Sequence, residues 1–252
     1  MNKKWKIILI LSLIGNLFIV YVAIKALEYR AHINEFLDKY TYVVDEFSRR
    51  DRYADENKSL VSDTLISGRV VFLGTQVTER WDLKRYFPDF ETINRGIFGQ
   101  RVSGFLLRFR PDVIELGPQA VVIEVSSYNF RPESSVREIE EYMASMIDLA
   151  RANGITPIPA TIIPPIKDSS VWGNYYLVDS LGKYNSWLRD YCVGKNIDCA
   201  DFNHALADSE GYLPDGLAAG AIDLNEDGYK IISDISAPIL EKYINIRSTI
   251  TK

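Results

Sequence analysis

The feature that most constrains this chain is its beginning. Ile7 to Ile24 is an eighteen-residue run without a charge, relieved only by Ser12, Gly15 and Asn16. At helical rise such a run covers about 27 Å, close to the hydrocarbon thickness of a bilayer. In hydrocarbon a single segment can satisfy its backbone polar groups only as a helix. Lys3, Lys4 and Lys6 precede it. The positive-inside bias therefore places residues 1–6 in the cytoplasm, 7–27 across the bilayer as a signal anchor, and the remainder outside. A cleaved signal peptide is the competing reading. The run exceeds a usual signal core, however, and no small-x-small cleavage pattern follows it.

Residues 28–65 change character. Tyr29, Ile33, Phe36, Leu37, Tyr40, Val43, Val44 and Phe47 recur at helical spacing among charges, which predicts an amphipathic helix leaving the membrane. Its stripe suits packing on the protein's own domain or on a partner helix. Arg49 to Lys58 is nearly all charged or polar and reads as an exposed connector.

From residue 66 to 246 short apolar runs alternate with helical patterns. Strands are expected at Val70–Leu73, Glu91–Asn94, Ala120–Val125, Thr156–Ile163 and Ile197–Asp201. Helices are expected at Val102–Arg110, Ser135–Asn153, Tyr175–Lys195 and Asn225–Ile244. Such alternation implies an α/β fold, a flavodoxin-like three-layer sandwich with a parallel sheet of about five strands. Residues 247–252 form a tail. Sites on such sheets lie beyond the carboxyl ends of the strands.

Composition narrows the function. With 29 basic and 34 acidic residues the net charge is −5, which gives no support to nucleic-acid binding. The two histidines, His32 and His204, and the two cysteines, Cys192 and Cys199, are too few for a metal centre built on His or Cys, and no cofactor motif is present. In an extracytoplasmic domain the two cysteines, with six residues between them, could close a disulfide. Glu124, in an apolar strand, needs a buried partner, with Arg95 and Arg131 as candidates.

The segments at the strand ends resemble the SGNH (GDSL-type) hydrolases over roughly Val70 to Ile239. Val71-Phe72-Leu73-Gly74-Thr75-Gln76, with Trp81 beyond, matches a block that usually reads VVFLGDSITxxW. Ile93-Asn94-Arg95-Gly96-Ile97-Phe98-Gly99-Gln100 matches INRGISGQ. Glu124-Val125-Ser126-Ser127-Tyr128-Asn129 stands where the family has a strand and GTND. Gly220 to Tyr229 matches DGxHxNxxGY. The frame is present, but its chemistry is replaced. The resemblance places Gln76 at the nucleophilic serine, Asp223 at the histidine base, Gly220 at the orienting aspartate and Tyr128 at the oxyanion asparagine. Thr75 replaces the aspartate beside the serine, and Gly96 alone keeps the family's residue type.

A carboxamide has no proton to yield to a base, and a carboxylate of ordinary pKa near 3.9 is a weak base at neutral pH. A degenerate pocket is therefore expected from Thr75, Gln76, Thr78, Gly96, Ser126, Ser127, Tyr128, Asn129, Trp172 and Asp223. Asp223 could accept a hydrogen bond from the Gln76 amide. Trp172, Tyr175, Tyr176 and Trp81 could stack on a sugar, anchor a protein or simply pack. The resemblance implies a pseudo-hydrolase that binds a glycan or a membrane-protein partner. The alternatives are an esterase or acyltransferase whose nucleophile has moved to Thr75, Thr78, Ser126 or Ser127, and a purely structural subunit.

Overall fold

The computed structural model describes residues 2–41, 48–130, 135–167, 178–220 and 223–250. Trp172, Tyr175, Tyr176 and Arg131 lie outside these, as do Val43, Val44 and Phe47. The chain divides into two units, Met1–Phe47 and Ser48–Lys252.

The first unit carries one unbroken helix, α1 (Lys3–Thr41), in which the spanning run and the start of the amphipathic pattern are continuous. Its mean hydropathy reaches 2.7 over an eighteen-residue window. It is long and apolar enough to cross a membrane, a property that retained anchors and signal sequences share.

The second unit is an α/β fold. Its elements are α2 (Ala54–Leu60), β1 (Ile66–Gly74), α3 (Gln76–Glu79), α4 (Leu83–Tyr86), β2 (Glu91–Gly96), α5 (Val102–Asp112), β3 (Pro118–Ile123), α6 (Val136–Ala152), β4 (Thr156–Pro159), α7 (Val178–Lys195), α8 (Phe202–Leu206) and α9 (Glu226–Ile250). The four strands are parallel in the order β2-β1-β3-β4, with Gly74 opposite Gly96 and Leu73 opposite Ile123. Because β1 and β3 are continuously apolar, each feeds two cores. Val71, Leu73, Val121 and Ile123 pack with Phe105, Phe109, Met143 and Met146. Val70, Phe72, Ala120 and Val122 pack with Trp81, Phe87, Phe202 and Ile232. In α6, Ile139, Met143, Met146, Ile147 and Ala150 form the buried stripe. Ser135 caps its start by accepting the Glu138 N–H at 3.1 Å, and Gly154, at φ +72°, follows its end.

Three expectations are corrected. The fifth strand at Ile197–Asp201 shrinks to a single bridge, Ala160 to Ala200. The cause lies in β4. The Ala160 N–H donates to Ile123 of β3, whereas the Thr161 N–H donates outward to Ala200. That alternation directs the nitrogens of Pro157 and Pro159 to the outer edge, where they have no hydrogen to give. Second, the charged connector is folded. Ser48 and Asn57 are buried, and Asn57 lies in α2. Third, Cys192 and Cys199 are free thiols rather than a disulfide. They bond to each other, and that bond holds the Cys192 thiol below the ordinary range and pushes Cys199 above it.

Residues 48–60 are held by a buried polar network. Arg95 and Arg108 are both fully buried. Arg95 donates to Asn57 Oδ1 at 2.8 and 3.1 Å and lies 4.5 Å from the centre of the Tyr53 ring. Asn57 Nδ2 donates to Asp112 at 2.6 Å, and Arg108 donates to the same carboxylate at 2.8 Å. Arg108 also reaches Gln100 at 2.7 Å, and Gln100 donates to the Ser48 carbonyl at 2.9 Å. Each donor to Asn57 and Asp112 depends on the others for a partner.

Candidate functional site

The carboxyl ends of β1, β2 and β3 converge where the sequence blocks predict. Gln76 opens α3 directly after β1, Gly96 ends β2, and Ser126 follows β3. Thr75, Gln76, Thr78, Ser126 and Asn129 are buried, whereas Ser127 and Tyr128 are half-buried.

The turn into α3 is built on Glu124. This carboxylate accepts the Thr75 N–H at 2.8 Å, the Thr75 hydroxyl at 2.9 Å and the Thr78 hydroxyl at 3.1 Å. Its partners are therefore the two threonines; Arg95 is committed to Asn57 and Glu56. Burial pushes the Glu124 carboxyl above its ordinary range, against the opposing pull of these hydrogen bonds. A raised folded pKa means that the folded state holds the proton more tightly than the unfolded state. Its contribution to stability is then greatest below the ordinary glutamate pKa and falls as pH rises toward the raised value. The stability difference between the native protein and Glu124→Gln should therefore shift against the native protein as pH rises from about 4.3. Urea unfolding of both proteins between pH 4 and 8 checks this; a difference independent of pH would contradict it.

Gly74 and Gly96 are glycines because the turn lies against them. A Cβ on Gly74 would overlap the Thr78 hydroxyl and Glu124, and one on Gly96 would overlap the backbone of Glu79. The Gly96 N–H donates to Asn94 Oδ1 at 2.9 Å, and the Gly96 carbonyl accepts from the Tyr53 hydroxyl. Asn129 has a structural role: it caps α5 by accepting the Val102 N–H at 2.7 Å.

Asp223 does not meet Gln76. Its carboxylate pairs with Arg80, which lies one turn beyond Gln76 and packs 5.8 Å from the centre of the Phe98 ring. Among the described residues, the second Asp223 oxygen, Oδ1, is buried without a hydrogen-bond partner, as is the Ser126 hydroxyl. Gly220, at φ +98°, carries no side chain toward Asp223. Arg80 and Phe98 went unnoticed in the sequence, although the four-residue spacing from Gln76 to Arg80 puts both on one helical face. Trp81 packs in the core against Phe72 and Phe87 rather than serving as a rim.

A groove of about 570 Å³ runs along β2. Of its charged lining residues, Arg52 and Glu79 pair with each other, Glu91 pairs with Arg69 and Glu56 with Arg95. Among the described residues no group of three or more His, Cys, Asp or Glu side chains could hold a metal ion.

The family model for GDSL-like lipases and acylhydrolases matches residues 67–231, which span all four blocks. The chain belongs to this family. A GDSL-like lipase of Bacteroides thetaiotaomicron is 27% identical, with a TM-score of 0.70 over 78% of this chain and 98% of that one. A Bacteroides fragilis protein assigned as an acylhydrolase is 25% identical, with the same TM-score and the same coverage of both chains. An acetyl-xylooligosaccharide esterase of Geobacillus shares the fold at 15% identity, with a TM-score of 0.55 over 70% of this chain and 95% of that one. No curated protein matches the chain. This GDSL-family member thus shares the fold of these relatives across its second unit.

Proposed function

We propose that this protein is a membrane-anchored, extracytoplasmic member of the family that binds rather than hydrolyses, as a recognition or scaffold subunit for a glycan or a membrane-protein partner. The observation that carries this reading is the Arg80–Asp223 ion pair beside Gln76. In place of a nucleophile and its base there is a carboxamide and a carboxylate already neutralised by arginine. The Gly96 N–H, an oxyanion donor by family resemblance, is engaged by Asn94.

A relocated nucleophile finds little support. Thr75 and Thr78 are buried and donate to Glu124, so neither hydroxyl faces a substrate. Ser126 is buried and has no base in hydrogen-bond contact. Exposure of the full-length protein to a fluorophosphonate should therefore give no covalent adduct by intact mass. Stoichiometric labelling of any serine or threonine would show an activated hydroxyl and defeat the reading.

The anchored orientation rests on Lys3, Lys4 and Lys6 at the start of α1 and on the apolar run that follows them. Lys58 is exposed on α2. Lys58→Cys should react with a membrane-impermeant thiol reagent on intact cells, after permeabilisation of any outer membrane. Protection of that cysteine until the inner membrane is opened would reverse the topology.

A further inference from the structure

We propose that α1 is a dimerisation helix: two copies of this chain pair in parallel along one seam of it, joined within the bilayer by a reciprocal hydrogen-bonded pair of Asn16 side chains. The inference rests on the retained-anchor reading above and is independent of what the second unit binds.

Asn16 lies one residue from the midpoint of the 7–27 span, about 1.5 Å along the helix axis. Its carboxamide has two N–H donors and an accepting carbonyl, and at that depth no water meets them. The headgroups are about 15 Å away, beyond the reach of so short a side chain. The helix backbone is occupied by its own hydrogen bonds. Of the side chains three and four residues away on the same helix, Ser12, Leu13, Ile19 and Val20, only Ser12 is polar, and one hydroxyl cannot satisfy a carboxamide. A polar side chain held in hydrocarbon marks a contact with another helix.

A second copy supplies what Asn16 lacks. The lysines give every copy the same orientation, so two copies run parallel and carry Asn16 at the same depth. The carboxamide is self-complementary, each N–H donating to the other copy's carbonyl. Alternate steps of four and three residues from Asn16 trace the seam of a left-handed coiled coil. One step back is Ser12, and the steps forward reach Ile19, Ala23 and Ala26, which let two backbones approach closely in the bilayer. α1 runs unbroken to Thr41, so the same steps continue to Ile33 and Leu37, both exposed, where burial of apolar surface from water adds to the pairing. The positions flanking this outer part of the seam, Leu27, Tyr29, Asn34 and Phe36, carry no charge. Lys25 and Glu28 pair with each other at 2.6 Å, off the seam. Arg30 is the one charge on these steps, and its stem is long enough to keep the guanidinium in water beside a second copy. Asn16 itself takes a core position of the heptad, where a lone asparagine selects two strands in register.

The test is fluorescence energy transfer between donor- and acceptor-labelled copies of the full-length protein, purified and reconstituted in vesicles of phosphatidylethanolamine and phosphatidylglycerol over a series of protein-to-lipid ratios. Transfer should saturate, with the dependence on acceptor fraction that a dimer gives. Asn16→Leu makes the span more apolar, so it still inserts, and it should weaken association by about tenfold. Asn16→Gln should keep most of the association. Asn16→Leu combined with Phe18→Asn moves the carboxamide to the opposite face of α1 and should stay as weak as Asn16→Leu alone. No transfer above random proximity, an assembly larger than two, association unchanged in Asn16→Leu, or association restored by Phe18→Asn overturns the inference. A transmembrane protein of another sequence that copurifies in equal amount and is lost in Asn16→Leu overturns it too, in favour of a different partner helix. Protein recovered from cells with its N-terminus beyond Ile24 defeats instead the anchor reading on which it rests.

Discussion

A chain beginning at Ile66, where the strand pattern starts, is expected to be unfolded or aggregated, whereas a chain beginning at Ser48 should unfold in one cooperative transition. The shorter chain lacks Asn57, Tyr53 and the Ser48 carbonyl. It leaves Arg95 without its Asn57 contacts, and it takes one partner each from Asp112 and Gln100. It also removes the Leu60 carbonyl that Arg69 reaches at 2.8 Å. Removing one side of a buried charged network typically costs about 3–5 kcal/mol, a large part of the roughly 5–15 kcal/mol that holds a domain together. Within the longer chain, Asn57→Ala should cost about 3 kcal/mol in urea unfolding. Equal stability of the two chains would mean that residues 48–65 are the loose connector their composition suggests.

Gly96→Ala is expected to destabilise the domain by about 2–3 kcal/mol, although the reading above leaves no oxyanion for this residue to bind. The added methyl would overlap the nitrogen and Cα of Glu79, which are backbone atoms that cannot rotate away. Gly182→Ala makes a suitable control. It lies in α7 with nothing near its added Cβ and should be stabilising by about 0.4–1 kcal/mol. Thermal and urea unfolding of both variants decides the matter. A Gly96→Ala protein as stable as the unaltered one would show that this glycine is not held by the approach of α3.

These results also bear on what the sequence could display. β1, β3 and α6 were legible because local pattern decides them: continuous apolar runs in the first two, and a stripe repeating at helical spacing in the third. The strand ends, and hence the location of the site, followed from the same alternation. α2 was not legible. Asp55, Glu56, Asn57 and Lys58 read as a solvated charge run, and only pairing with Arg95 and Asp112, far along the chain, shows Asn57 to be interior. The partner of Glu124 was missed for a related reason. A buried carboxylate suggests an arginine, yet here three donors from a single turn suffice, two hydroxyls and one N–H. The missing fifth strand was written in Pro157 and Pro159, but which edge a proline nitrogen faces depends on register, and register is a property of the assembled sheet. Within the site, the resemblance to the family's blocks could be read position by position. The Arg80–Asp223 pair could not, because it joins α3 to the segment before α9.

The most direct measurement is the rate of hydrolysis of p-nitrophenyl acetate by the purified full-length protein, with Thr75→Ala, Thr78→Ala and Ser126→Ala assayed alongside. The expected result is turnover indistinguishable from buffer in all four proteins, since Thr75, Thr78 and Ser126 are all buried. Saturable turnover by the unaltered protein, abolished by any one of the three substitutions, would show an active nucleophile in this frame and contradict the loss of hydrolysis.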